Sequence, residues 1–206
     1  MAAKRTIVLF VSVVFVLPLT AWALLSFYEK RIEKLSVLGK TKDHHIEEFS
    51  LINQDGLIRT GDDWKNKIVV ANFFFTHCPI ICPKMTDNVK KVSEAFEEDK
   101  SIFISSFSID PERDSVKQLK KYADRFKIAT DKWDLLTGSK KDIYKLARNS
   151  FMIVATDGDG GPDDFIHSDR LVLIDAQKRI RGYYNGTSDK ETKQLIDDIK
   201  KLKNDQ

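Results

Sequence analysis

The chain has 206 residues, 42% of them hydrophobic, and a formal net charge of +3. That is length for one domain and an appendage, with apolar material for a sizeable core. No long basic run with interleaved aromatics appears, which argues against nucleic acid as a partner. The two cysteines, Cys78 and Cys82, sit four residues apart, which excludes a disulfide framework and reads as a redox couple or as metal ligands.

Residues 6–27 carry no charged side chain. As a helix they reach ~33 Å, enough to span a hydrocarbon core. Lys4 and Arg5 precede them and place residues 1–5 on the cytoplasmic side. Ala21-Trp22-Ala23 also fits the small-x-small pattern of a cleaved signal peptide. The apolar run nevertheless continues through Leu24, Leu25 and Phe27, so an uncleaved transmembrane anchor is the better reading. Either way the remainder is exported, to a compartment where thiols meet oxidants and metals. The absence of an Arg- and Ser-rich presequence favours a bacterial inner membrane with the domain in the periplasm. Residues 28–45 are charged and read as a helical or flexible stalk, with His44 and His45 as solvated linker residues.

Residues 46–206 carry the domain. Residues 49–58 predict a hairpin with Asp55-Gly56 at its turn. Residues 68–75 and 102–109 are unbroken apolar runs, as strands buried on both faces require. Shorter strand candidates are 133–136 and 151–154. Residues 171–174 and 180–184 pair across a turn at Gln177-Lys178. Apolar residues recur at helical spacing at Met85, Val89, Val92 and Phe96, and again at Val116, Leu119, Ala123 and Phe126, the second set opened by Asp114 or Ser115 as cap. A shorter helix is expected around Ile143–Ala147. A last one runs over Leu195, Ile196, Ile199 and Leu202, capped by Ser188 or Asp189. This order predicts an α/β fold, a mixed sheet with helices on both faces. The Asp- and Gly-rich stretch 157–164 lacks the spacing of a calcium hand and reads as a turn-rich connection.

The informative stretch is FFFTHCPIICPKM, residues 73–85. A buried strand ends at Phe75 and a helix begins near Cys82, and ligands gather at the carboxyl ends of strands in open sheets. A helix N-terminus favours negative charge, which eases thiolate formation. The i, i+4 spacing brings the two sulfurs together, either for a disulfide or for clamping a soft ion. Pro83 suits the first helical turn, where its missing N–H costs nothing. His167 lies just before the apolar strand 171–174. If that strand neighbours the first, His167 faces the cysteine loop, and two thiolates with one imidazole suit copper; the alternative is a loop histidine that caps backbone groups. Zinc usually takes a fourth ligand, and none is obvious. His77 reads as a turn residue, and Met85 and Met152 as core. The DPERD stretch 110–114 follows the second buried run and sits at another strand end. It reads either as the source of a carboxylate, Asp110 first, that orients a ligand or partner or as a turn into the next helix.

These residues resemble the Sco/SenC family of cytochrome oxidase assembly factors. The match is carried by FFFTHCPIICP at 73–83, SIDPERD at 108–114, and His167-Ser168 before an apolar strand, all in the family's order. This chain has Ile166 where many members carry an acidic residue before the histidine. The resemblance implies a thioredoxin-like fold, here with an N-terminal hairpin extension and a transmembrane anchor. It implies copper, Cu(I) or Cu(II), held by Cys78, Cys82 and His167, with Asp110 outside the ligands. It implies a metallochaperone that takes copper from a periplasmic donor and delivers it to the copper A centre of cytochrome c oxidase subunit II, or a reductase of that site's cysteines. A peroxidase reading, from the loose likeness of Phe75-Thr76-x-Cys78-Pro79 to peroxiredoxin loops, leaves Cys82 and His167 without a role.

Overall fold

The computed structural model describes residues 10, 12–32, 34–41, 43–153 and 168–204. Near the N-terminus a π-helical turn, Ser12–Val16, runs into helix α1, Leu17–Ile32. Pro18 has no N–H to offer the preceding turn, and the widened turn lies just before it. Phe15, Leu19, Trp22, Leu24 and Phe27 are each more than 60% exposed. Among the described residues no helix is long and apolar enough to cross a membrane; residues 1–9 and 11, part of the expected anchor and its cytoplasmic flank, lie outside them.

The hairpin forms where it was expected, from β1 (Ser50–Asn53) and β2 (Ile58–Thr60). Gly56 takes φ 78°, which only glycine adopts without strain. Asn53 Oδ1 accepts the N–H groups of Asp55 and Leu57 and closes the turn. A 3-10 turn, Gly61–Trp64, leads to β3 (Ile68–Phe74), followed by α2 (Ile81–Ala95) and β4 (Ile102–Ser108). Next come α3 (Val116–Phe126), β5 (Trp133–Thr137) and α4 (Lys140–Lys145), which widens into a π-helical turn, Leu146–Ser150. The chain ends with β6 (Arg170–Ile174), β7 (Ile180–Asn185) and α5 (Asp189–Asn204). Serines cap three of the helices: Ser115, Ser139 and Ser188 accept the N–H groups of Gln118, Asp142 and Glu191.

The described strands form one seven-stranded sheet in the order β2-β1-β5-β4-β3-β6-β7. The middle three, β5, β4 and β3, are parallel, and an antiparallel hairpin closes each side. Every residue of β3 and β4 is buried, so neither alternates between apolar and exposed polar positions, because each face has its own core; their polar members are paired, Ser106 with Asn72, Ser105 with Trp64 and Ser108 with Asp114. Ile68, Val70 and Phe74 point to the side covered by α2, α3 and α5. Val69, Ala71 and Phe73 point to the side covered by α4, the π-helical turn and residues 46–49. On this second side Phe73 stacks on Phe107, 5.1 Å between centroids, and Phe151 meets both rings edge-on at 5.1 and 5.3 Å.

Phe151 corrects one expectation. The candidate strand 151–154 does not form over its described residues: Phe151 follows the π-helical turn and Met152 is left-handed at φ 51°. Its apolar character serves the aromatic cluster instead. Val154 lies outside the described residues.

The expected stalk, from residue 34 onward, is not free but lies along the domain. Leu38 N–H donates to the Ile180 carbonyl at 2.8 Å and Ile46 N–H to that of Lys178 at 2.8 Å, while the Arg181 guanidinium holds the Leu35 carbonyl. Ile46 is fully buried. His44 is half-buried, its Nε2 2.8 Å from the Ser150 carbonyl. A Cβ on Gly39 would stand 2.3 Å from the Cβ of His44, so the chain turns here only because residue 39 has no side chain. The physical cause is the sheet edge: β7 offers unpaired backbone groups, and this strap covers them.

Candidate metal centre

The site grows out of the carboxyl end of β3. The last rung of the parallel ladder is Ile109 N–H to the Phe74 carbonyl, 2.9 Å. The chain then turns, with Cys78 N–H on the Phe75 carbonyl at 3.2 Å, and enters α2. Ile80, at the helix cap, offers no side-chain acceptor. The sulfur of Cys78 takes that place, accepting the Cys82 N–H at 3.2 Å. The spacing of the two cysteines is therefore what lets the first sulfur cap the helix that carries the second.

Both thiols are free, Cys78 half-buried and Cys82 buried. They titrate apart. Burial pushes the Cys78 thiol up, but the N–H of Cys82, the Cys82 thiol and the N–H groups of Ile80 and Ile81 outweigh it and leave Cys78 below its ordinary value. For Cys82 burial dominates and drives it up to about 12, and the neighbouring charges of Cys78 and Asp114 push the same way. The accessible sulfur is thus the readier of the two to ionise, while burial makes the other resist losing its proton.

The carboxylate that reaches the cysteine loop is Asp114, fully buried. It accepts Thr76 N–H at 3.0 Å, Thr76 Oγ1–H at 2.5 Å and Ser108 Oγ–H at 2.6 Å. His77 Nδ1 lies 3.1 Å from Thr76 Oγ1 and 3.8 Å from Asp114 Oδ1, with its ring half exposed. Asp110 contributes through its backbone: its carbonyl accepts the N–H groups of Arg113 and Asp114, making the turn that swings Asp114 inward. Its own carboxylate lies 3.8 Å from Arg113, and Asp110 is not among the described residues lining the cleft. Of the two aspartates of the DPERD stretch it is thus Asp114, not Asp110, that reaches the loop, and the cap of the next helix is Ser115. The signal for its part in the loop is thin, a hydroxyl residue at each of two strand ends, Thr76 and Ser108.

Cys78 and Cys82 open onto a cleft of about 740 Å³, floored by Phe75 and Ile109 and walled on its far side by Ser168, Asp169 and Arg170. Strand β6 does neighbour β3, antiparallel, with Leu171 opposite Asn72. The lead-in to β6 therefore stands at the same end of the sheet as the exit from β3. It is locked to α2. Asp169 accepts Gly186 N–H at 2.6 Å and Asn185 Nδ2–H at 2.8 Å, and Gly186 in turn accepts from Asn88 on α2 at 2.9 Å. A Cβ on Gly186 would lie 2.7 Å from Met85 Cγ and 3.0 Å from the Asp169 carbonyl, so glycine is what permits the close approach. His167 lies outside the described residues, one position before Ser168. Among the described residues, no three His, Cys, Asp or Glu side chains converge on a metal-sized site.

Comparison with known proteins identifies this arrangement. Residues 39–204 match the SCO1/SenC family model, so the chain belongs to the SCO1/SenC family. It is 34% identical over 160 residues to the SCO1 protein homolog of Bacillus subtilis (strain 168), covering 77% of this chain and 82% of that one. The solved structure of BsSco, described as a member of the Sco family of cytochrome c oxidase assembly proteins with a disulfide switch, superposes with a TM-score of 0.68 at 32% identity, covering 81% of this chain and 98% of the other. Arabidopsis thaliana ScoI, solved with copper bound, superposes with a TM-score of 0.60 at 28% identity, covering 75% and 97%. The fold is thus the α/β, thioredoxin-like fold of that family.

Proposed function

We propose that this chain is a copper carrier of the Sco family. In this reading it is held at a bacterial inner membrane by residues 6–27, with its domain in the periplasm. It holds one copper ion through Cys78, Cys82 and His167 and passes it to the copper A centre of cytochrome c oxidase subunit II or a similar acceptor. The observation that carries this reading is the cleft. Its near wall holds both sulfurs and its far wall begins one residue after His167. The donor set suits the cargo, since thiolates select Cu(I) and imidazole accepts copper in either oxidation state. Loading requires Cys82 to give up its proton, and that linkage makes release as accessible as capture: an acceptor's thiolates displace these while the proton returns. Asp114 holds the loop between the sulfurs and β3, and the Gly186 contact holds the far wall against α2. The test is metal analysis with X-ray absorption on the purified, reduced full chain. One copper with two sulfur and one nitrogen ligands is expected, and a sulfur-only or oxygen-rich shell removes His167 from the site.

A second reading has its own support in the asymmetry of the two thiols. An accessible, thiolate-prone Cys78 backed by a buried, protonated Cys82 is the arrangement of an attacking and a resolving cysteine. Cys78 would attack a target disulfide and release one target thiolate. Cys82, on losing its proton, would then attack the Cys78 sulfur. That frees the target dithiol and leaves a Cys78–Cys82 disulfide for an external dithiol to reduce. Turnover of a disulfide peptide by the metal-free chain, with no copper bound at equimolar addition, would favour this role over delivery.

A further inference from the structure

The strap and the cleft lie at opposite ends of the sheet. Leu38 pairs with Ile180, the first residue of β7, and Arg181 beside it holds the Leu35 carbonyl. Ile180 stands opposite Ile174 at the end of β6, and Ile174 opposite Val69 near the start of β3. From there β3 continues to Phe74, the threshold of the cysteine loop. At the rise of a strand, the five steps from Val69 to Phe74 cover ~17 Å. The other end of the strap is equally constrained. Helix α1 ends at Ile32, three residues before Leu35, a gap of at most ~11 Å. Leu17, Leu19, Trp22, Leu24, Leu25 and Phe27 of α1 are exposed, as a lipid-facing helix would leave them.

We infer that the strap clamps the domain to its anchor by the pole opposite the cleft. The cysteines then face away from the bilayer, at the end of the sheet farthest from the strap. This rests on the proposed anchor and on the cleft as the reactive site. A flexible stalk would let the cleft swing down to the lipid. Here the backbone hydrogen bonds of Leu38 and Ile46, the burial of Ile46 and the hold of Arg181 on the Leu35 carbonyl keep the connection on the domain, so only two residues separate α1 from the held segment.

The test uses the full chain in vesicles of mixed zwitterionic and anionic phospholipid containing a headgroup-attached quencher. Lys84→Cys, on the first turn of α2 at the cleft end, and Val37→Cys, on the strap, each carry one fluorophore in a Cys78→Ser, Cys82→Ser background; both positions are exposed. Quenching several-fold stronger at position 37 than at 84 is expected. A ten-residue Gly/Ser insertion between Ile32 and Leu35 adds ~17 Å of root-mean-square reach and should raise quenching at 84 towards that at 37. Equal quenching at the two positions without the insertion overturns the inference, and so does a chain that stays off the vesicles. Copper stoichiometry of the unlabelled chain is measured in parallel. Normal copper with equal quenching refutes the orientation alone. Absent copper with the expected quenching refutes the metal site and leaves the orientation standing.

Discussion

Asp114 offers a sharp test of how the cysteine loop is held. It is fully buried and accepts three hydrogen bonds, two from Thr76 and one from Ser108. Asp114→Ala leaves those donors facing apolar surroundings. At ~1–3 kcal/mol for each buried group left unpaired, and with the hydroxyls partly able to redirect, the loss is about 3–5 kcal/mol. Asp114→Asn is milder. The amide oxygen still accepts on the side of Thr76 N–H and Ser108, while the amide nitrogen donates to Thr76 Oγ1, whose own proton turns to His77 Nδ1, 3.1 Å away. Only the charge assistance goes, about 1–2 kcal/mol. The asparagine variant also removes a negative charge that pushes the Cys82 thiol up, so Cys82 should ionise at lower pH. Urea unfolding gives the first quantity, and ultraviolet titration of the thiolate in a Cys78→Ser background gives the second. A merely structural role would change stability and leave the thiol titration where it was. If both variants unfold at the wild-type urea midpoint, the carboxylate does not hold the loop and the reasoning fails.

Three further outcomes are expected. His167→Ala should lower copper affinity at least tenfold in competition with a Cu(I) chelator while the urea midpoint stays put; an unchanged affinity means the imidazole is no ligand. In metal-free protein, Cys82 ionises in the folded state near 12 against an ordinary value of 9.0. Because the folded value is the higher one, its contribution is intact below pH ~9 and is lost as pH rises towards 12, up to ~4 kcal/mol in all; burial pushes the Tyr122, Tyr183 and Tyr184 phenols in the same direction. Cys82→Ser should flatten this alkaline loss by as much as ~1.4 kcal/mol per pH unit, and an equally steep loss in the variant contradicts the assignment. Gly186→Ala forces a Cβ against Met85, itself fully buried, and against the Asp169 carbonyl. A cost of ~1–3 kcal/mol is expected, together with weaker copper binding as the far wall shifts; stability and affinity both at wild-type level would show that the close approach does not matter.

Much of the fold was legible in the chain because its rules are local. The uncharged, mostly apolar runs at 68–75 and 102–109 became β3 and β4, since a strand with a core on each face shows no alternation with exposed polar positions. Asp55-Gly56 marked the hairpin because its backbone requires a positive φ. Helix faces were written in the 3.6-residue spacing of Val89, Val92, Leu119 and Ala123. The cysteine pair was legible for a similar reason, since four residues set how two sulfurs on one turn relate. Other features depend on residues far apart in sequence meeting in space. Phe151 looked like strand because burial alone does not distinguish a strand from a plug, and its partners Phe73 and Phe107 come from elsewhere in the chain. Asp114 stood out no more than Asp110 in the same stretch, because nothing nearby shows that Thr76, 38 positions upstream, donates to it. The strap looked like a free stalk because its partner, the open edge of β7, exists only once the sheet has formed. Periodicity and turn chemistry act within a few residues and are carried by the chain itself, whereas hydrogen-bond satisfaction of buried groups and of sheet edges depends on which distant segments the packed fold brings alongside.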